Sequence, residues 1–364
     1  MRASFWSSRK EKVEATRLTV DRTLLRERLV GIVRSFSQRR VLVIGDSIAD
    51  QFVHGAITRV SREAPVFILR HEHTMAVPGG AANCAVNLAS LGASVSLVSI
   101  AGQDEAGQAL IGKLKATGVD CSGFLTSDKW RTTTKVRILA GQSNSTRQQV
   151  IRIDYEDEPL NNPELLQRLR EQVLEQAKAA DAVVISDYNY GVADAEMVTF
   201  TRDATDGRKI PVLADSRFKL PSFRGLTSAT PNQDEVEQLV GKRLETVEDL
   251  ESAGEELRDR LGYRALLITR GSRGMVLLED GMAPVHIDAV GARDPVDVTG
   301  AGDTVMAAYT LALASGSSFP DAARVANYAG GLVVMKRGTA SVSTEELENS
   351  VLHSELPLSS ATKT

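Results

Sequence analysis

The sequence predicts an α/β fold: a doubly wound, mainly parallel, Rossmann-like sheet with a small inserted β-sheet lid. Three observations carry that prediction. From Arg40 onward, short apolar strand patterns alternate with amphipathic helix patterns, the rhythm of βαβ units. Strand-rich stretches interrupt the rhythm twice, at about 52–77 and 131–155, with no helix pattern inside either. No repeat, low-complexity block or Pro/Ser-rich linker divides the 364 residues, which predicts one domain over 39–350. A basic leader ending in an amphipathic helix would precede it over 1–38, and a polar tail would follow over 351–364.

Bulk properties narrow the function classes. With 42% hydrophobic and 25% charged residues, the composition is that of an ordinary globular protein. A net charge of −4 gives no general reason to expect nucleic acid as a partner. No apolar run approaches the roughly 18–20 residues that span a bilayer. Cys84 and Cys121 are too few for a disulfide framework, and a reducing cytoplasm is their simplest home.

Taken in order, the leader has a possible N-cap at Asp21, then Leu25, Leu29, Ile32, Val33 and Phe36 on one helical face. RVLVIG, Arg40 to Gly45, reads as a buried strand, with Asp46 and Asp50 close behind. Ligands gather at the carboxyl ends of strands in open α/β sheets, so both carboxylates are candidate acceptors for sugar hydroxyls. Helix capping or a solvated loop is the alternative. Residues 55–77, with PVFILRHEHT, suit an antiparallel pair outside the main sheet. Gly79-Gly80 then opens a helix through Asn83; the glycines permit close approach of a ligand, although a plain turn reads the same way.

Strand VSLVSI ends at Gly102, and a helix follows from about Glu105 to Thr117. Thr132 to Asp154 forms the second excursion, around a GQSNSTR tip. A helix near Pro163–Ala179 leads to strand AVVIS and the loop Asp187-Tyr188-Asn189-Tyr190-Gly191. Strand IPVLAD ends at Asp215, and Thr230-Pro231-Asn232 opens a helix carrying Glu235. ALLITRG and GMVLLE pair around Gly271–Gly274, and helices fill the rest to about Val351.

The stretch Asp294–Thr304, DPVDVTGAGDT, runs straight into an Ala-rich helix. Gly300, Ala301 and Gly302 leave backbone N–H groups unobstructed at a helix N-terminus, which suits an anion such as a phosphoryl group in transfer. Asp303 would repel a resting phosphate, so its presence fits a role in taking a proton from an attacking hydroxyl. The alternative is a tight turn with Asp303 favouring the helix dipole. Asn232 and Glu235, three apart on a helix, suit the waters of a Mg²⁺ ion, or simply a helix start. Gly45-Asp46 lacks the G-x-G-x-x-G turn that an NAD-binding dehydrogenase needs.

Together, GGAAN at Gly79–Asn83 with Ala85, Gly92 and Gly102, TPNxxE at Thr230–Glu235, and DVTGAGD at Asp297–Asp303 resemble the ribokinase-like (PfkB-type) family of carbohydrate kinases, over roughly Arg40 to Glu348. Within it, GDSIADQFVHGAITRVSREAPV, TKVRI with QQVIRID, ISDYNYG and TPNQDEVE are most similar to the kinase portion of the bifunctional heptose-7-phosphate kinase/adenylyltransferases. None of His54, His71, His73, His286 or His353 forms the HxGH motif of their second half, so the kinase portion alone is expected. The resemblance implies a ribokinase-type fold and ATP, Mg²⁺ and a sugar or sugar phosphate as ligands. Asp303 would be the base, and Gly300, Ala301 and Gly302 the anion hole. Asn232 and Glu235 would organise Mg²⁺. Asp46, Asp50, Gly79, Gly80 and Asn83 would face the sugar. Thr269, Gly271, Gly274, Asn232 and Asn327 would border the nucleotide, and Asp297 with Thr299 would hold K⁺. The lid would pair two subunits into a homodimer.

Departures from the pattern bear on the acceptor. Heptose-phosphate kinases usually read SDYxKG, with a lysine that helps hold substrate; Tyr190 stands there instead. GQSNST lengthens the lid before Arg147, and Asp215-Ser216-Arg217 replaces the usual Asp-Pro-Lys. Arg217 would bind a phosphate bidentately in place of the missing lysine, or it and Lys219 lie in a solvated loop. Ribose, fructose or a fructose phosphate are the other acceptors compatible with the motifs. A catalytically silent sugar- or nucleotide-binding relative, acting through protein contacts, is the reading from a different class.

Overall fold

The computed structural model describes residues 22–141, 147–291 and 295–354. After helix α1 (22–34) the main-sheet and lid strands begin with β1 (Arg40–Gly45), β2 (Ser47–Val60) and β3 (Phe67–Gly80). Helix α2 (Ala81–Ser90), β4 (Ser94–Gly102), α3 (Glu105–Ala116), β5 (Phe124–Ser127), β6 (Thr134–Gly141) and β7 (Gln148–Tyr155) follow. The middle of the chain holds α4 (Pro163–Ala177), β8 (Ala182–Asp187), α5 (Ala195–Thr205), β9 (Val212–Ser216), β10 (Ser228–Ala229), α6 (Gln233–Val240) and α7 (Val247–Leu261). A three-stranded run, β11 (Ala265–Thr269), β12 (Met275–Glu279) and β13 (Val285–Ile287), precedes α8 (Ala301–Ala314), α9 (Phe319–Val333) and α10 (Thr344–His353).

Nine strands form one sheet in the order β13-β12-β11-β10-β9-β8-β1-β4-β5. All pairs from β5 to β11 are parallel, and β12 and β13 add an antiparallel edge. The central strands β1 and β8 are buried almost end to end, as strands covered on both faces must be. One face packs against α1, α2, α8, α9 and α10, the other against α4 to α7. Helix α8 buries every residue from Asp303 to Ala312, which explains its unbroken small and apolar text. The strand order starts at β1, runs out through β4 to β5, and then returns to the other side of β1 at β8. The β1/β8 junction is therefore the switch point, where the loops diverge and leave a crevice.

The two excursions join as one lid. Hairpins β2–β3 and β6–β7 are each antiparallel, and β2 pairs with β6 in parallel, giving the order β3-β2-β6-β7. The first hairpin is longer than 52–77. It starts one residue beyond Asp46 and ends at Gly80, so Asp50, Gly79 and Gly80 are lid residues. β5 and β13 were not anticipated, because four and three residues are too few to show a period.

The leader's helix belongs to the domain instead of preceding it. Leu29, Val33 and Phe36 are fully buried in the same core as α9 and α10, and Arg28 Nε donates to Asp321 on α9 at 2.7 Å. The rest of the leader before residue 22, the lid tip at 142–146 and the tail beyond 354 lie outside the described residues. Among the described residues no helix is long and apolar enough to cross a membrane.

Candidate active site

At the end of β1 the chain turns on Asp46, which is 2% exposed. Its Oδ2 accepts the backbone N–H groups of Tyr188 (2.9 Å) and Tyr190 (3.0 Å), and its Oδ1 that of Val192 (2.9 Å). These three bonds tie Asp46 to the loop after β8, so it holds that loop in place as well as standing where the sequence expects a sugar contact. Burial pushes its pKa up to about 6 against those three hydrogen bonds. The pinned loop turns through Asn189, whose φ of 68° is a left-handed conformation that asparagine tolerates. Asp187 steadies the loop's start, accepting from Asn189 N (3.0 Å) and Ser216 Oγ (2.6 Å).

Across the crevice, α8 begins at Gly300, whose φ of 77° favours glycine. The N–H of Ala301 is turned onto the Val298 carbonyl at 3.2 Å, which removes it from the expected anion hole. Among the described residues the N–H groups of Gly300, Gly302 and Asp303 have no protein acceptor. A Cβ at Gly302 would meet no atom within 4 Å, so the space before these amides is open. Asp303 itself is 7% exposed. Asn83 Nδ2 donates to its Oδ2 at 2.6 Å, and the Tyr188 hydroxyl donates to its Oδ1 at 3.2 Å. Burial raises the Asp303 pKa to about 6; the two donors pull it down and the charge of Asp50 pushes it up.

The lid covers this junction with a charged inner row. Asp50 is buried and ion-paired with Arg137, whose guanidinium lies 5.3 Å from the Phe52 ring. A side chain at Gly79 would collide with the Asp50 carboxylate, which accounts for that glycine. Lys135, in register with Asp50, holds its Nζ 5.6 Å from the centre of the Tyr190 ring and has no carboxylate within ion-pair distance among the described residues. The Tyr190 hydroxyl donates to Glu156 at 2.6 Å. A lysine of the lid strand β6 thus lies against Tyr190, the residue that stands where heptose-phosphate kinases usually have lysine. Neither Lys135 nor Arg137 stood out in the sequence beyond the TKVRI match, because nothing local marks which strand face meets the core.

Asn232 and Glu235 form a capping box at the start of α6: Asn232 Oδ1 accepts from Glu235 N (2.8 Å) and Glu235 Oε2 from Asn232 N (2.9 Å). Among the described residues Glu235 Oε1 accepts no hydrogen bond, and it lies 3.8 Å from Arg217 Nε. Arg217 therefore stands beside the expected metal residues and is 68% exposed, while Lys219 faces Asp187 at 3.6 Å. Asp215, at the end of β9, was passed over as a site residue. Its side chain has no hydrogen-bond partner among the described residues, and desolvation, Asp303 and Glu235 push its pKa up to about 8. An unsatisfied carboxylate beside Glu235 and Asp303 fits a site that gains a cation. Its position in the last residues of a strand, at the carboxyl end of the sheet, was the available signal. Among the described residues no three His, Cys, Asp or Glu converge to grip a metal directly.

Next to the α8 N-terminus lies a largely apolar cavity of about 190 Å³, lined by Thr269, Gly271, Gly274, Gly302, Asn327 and Gly331 among others. The expected nucleotide residues Thr269, Gly271, Gly274 and Asn327 are brought together there, while Asn232 stands at the edge, bridged to Thr269. The Asn327 amide is tied to the Asp288 carbonyl at 2.7 Å and so shapes the wall. Asp297 accepts the N–H groups of Thr299 (2.9 Å) and Gly338 (3.0 Å), so both its oxygens brace the turn before α8.

Comparison with known proteins agrees with this architecture. The family model "pfkB family carbohydrate kinase" matches residues 39–346. The bifunctional protein HldE of Pseudomonas aeruginosa is 42% identical over 317 residues, covering 87% of this chain and 64% of that protein. The protein of the same name from Haemophilus influenzae is 41% identical over 322 residues, with the same shares. The chain thus spans less than two thirds of the length of these relatives. Among solved structures, an Arabidopsis thaliana ribokinase complexed with ribose and ATP superposes with a TM-score of 0.67 at 21% identity, over 86% of this chain and 98% of that one. The phosphofructokinase-2 of Escherichia coli in complex with potassium gives 0.70 at 21% identity, with the same coverage. The chain belongs to the pfkB family of carbohydrate kinases.

Proposed function

We propose that this kinase transfers the γ-phosphoryl group of ATP to a hydroxyl of a sugar phosphate, with heptose 7-phosphate as the acceptor and heptose 1,7-bisphosphate as the product. The observation that carries the reading is the meeting, at one switch point, of a buried carboxylate and unpaired helix N-terminal amides beneath a lid that offers an unneutralised lysine. Asp303 takes the proton of the attacking hydroxyl as its oxygen bonds to phosphorus, and the bond from phosphorus to ADP breaks. The amides of Gly300, Gly302 and Asp303 receive the charge on the transferring group, which is mostly what phosphoryl transfer asks of a protein. Glu235 Oε1 and the Asn232 side chain would hold the waters of Mg²⁺, and the ion's charge would favour ionisation of Asp215 behind them. When bound, that ion supplies neutralisation of the nucleotide phosphates. Gly80, Gly79 and Asn83 border the sugar. Lys135 and Arg137 take the acceptor's phosphate, and Asp297 with Thr299 steadies the anion turn, where K⁺ would bind.

The likeness in loop text to heptose-phosphate kinases supports the acceptor, and the lid lysine supports a phosphorylated one. An ADP-release assay over heptose 7-phosphate, ribose, fructose and fructose phosphates tests both. Heptose 7-phosphate should give the highest kcat/KM, and Lys135→Ala should raise KM for it about tenfold or more while leaving KM for ATP unchanged, given that charged hydrogen bonds contribute about 1.5–3 kcal/mol. Faster turnover with an unphosphorylated sugar would refute the choice of acceptor, and ATP binding without turnover of any sugar would favour a silent relative.

The lid also supports a homodimer. Ile151 is 55% exposed and Ile153 40% exposed on β7, with Ile138 and Val136 opposite them in register, an apolar row that a second lid would cover.

A further inference from the structure

Tyr188 is the side chain at the switch point that these roles leave unused. Its backbone N–H donates to the buried Asp46 at 2.9 Å, so the loop cannot drift, and its hydroxyl reaches Asp303 Oδ1 at 3.2 Å. Asn83 holds the other oxygen, Oδ2, at 2.6 Å from the far wall of the crevice. The two donors thus take opposite oxygens of one carboxylate and approach from different elements, the β8 loop and α2. Asn83 also borders the sugar space behind Gly79-Gly80, so an incoming hydroxyl competes for Oδ2 and not for Oδ1.

We propose that Tyr188 is a positioning residue for the base: its phenol fixes Oδ1 of Asp303 and so presents Oδ2 to the attacking hydroxyl. This rests on Asp303 being the base. Among the described residues, the groups whose charges couple to Asp303 include Asp50 from β2, itself paired with Arg137 from β6, Asp215 from β9, Cys84 from α2 and Tyr188. Two side-chain hydrogen bonds, with the N-terminal end of α8, therefore favour the ionised carboxylate until ligands arrive. Enclosure and the charges of Asp303 and Asp215 drive the Tyr188 pKa well above its ordinary value, so the phenol stays a donor at any working pH. Its removal leaves Asp303 with one donor among like charges, which raises the pKa of the carboxylate.

The test is Tyr188→Phe in the whole chain, read by kcat, KM and the pH profile of kcat/KM. The expected result is a fall in kcat of about 10- to 100-fold with KM for ATP within about twofold, since a small misplacement of a reacting group costs that much. The acid limb should move to higher pH. The same substitution placed on Asp303→Asn should cost nothing more, because its target is gone. An unchanged acid limb, or an undiminished loss on the Asp303→Asn background, would overturn the proposal. If Asp303→Asn alone turns over like the parent, the base reading fails; if it is dead while Tyr188→Phe behaves as the parent, only the positioning role fails. Should Tyr188→Phe lose cooperative unfolding, 3-fluorotyrosine at position 188, a stronger donor of the same shape, should move the acid limb to lower pH, and a stationary limb would count against the role.

Discussion

Asn83 on α2 donates to Asp303 on α8 at 2.6 Å, a single contact that joins two motifs 220 residues apart in the chain. It places the carboxylate beside the start of α2, just after the Gly79-Gly80 turn, and beside the amides of its own helix. Base catalysis typically contributes about 10²–10⁴ in rate, so Asp303→Asn should lower kcat by at least about two orders of magnitude. Calorimetry should show ATP affinity within a few fold of the parent, because the nucleotide cavity lies beyond the reacting carboxylate. Turnover close to the parent's would remove the assignment.

The pH dependence follows from the same residue. Burial raises the Asp303 pKa to about 6, and only the ionised carboxylate accepts a proton. The kcat/KM should be level above that value and fall about tenfold per unit of pH below it. A profile that stays flat down to pH 5 contradicts a base with this pKa.

Asp46 is expected to matter for stability before it matters for chemistry. Asparagine in its place keeps one acceptor oxygen and turns an NH₂ group toward backbone donors. Three hydrogen bonds to a buried charge are disturbed, and hydrogen bonds to charged groups are each worth about 1.5–3 kcal/mol, so Asp46→Asn should cost roughly 2–4 kcal/mol. Urea unfolding measures this, and a loss below about 0.5 kcal/mol would show that the loop holds itself.

Glu235→Gln separates capping from metal binding. Glutamine also completes a capping box, so α6 should stay intact by circular dichroism. The Mg²⁺ concentration for half-maximal activity should rise about 10- to 100-fold, the usual cost of losing a residue that orients a metal's surroundings. An unchanged Mg²⁺ requirement would leave the pair as a helix cap only.

The lid predicts assembly. Ile151→Asp with Ile153→Asp places two charges in the exposed apolar row of β7. Sedimentation should show a dimer for the parent chain and a monomer for the double variant. A parent that sediments as a monomer at all concentrations would refute the lid interface.

Much of the architecture was legible in the sequence, because strand and helix periods are local properties of the chain. The βα alternation, the strand pair around Gly271–Gly274 and the two lid excursions follow from spacing alone, and Gly300 with Gly302 marks the turn where backbone must stay bare. The family model matches residues 39–346. The roles of particular carboxylates were not legible. Asp46 and Asp50 both follow the first strand, yet one is spent on three backbone donors and the other pairs with a lid arginine. Tyr188 lay inside the SDYxKG match and Asp215 inside the Asp-Ser-Arg run, yet neither match gave them a role, and Lys135 had only the TKVRI match. Their meaning comes from which strands become neighbours: β8 beside β1 and β6 beside β2. A carboxylate's function depends on what lies within a few ångströms of it, and in this fold those neighbours come from across the chain.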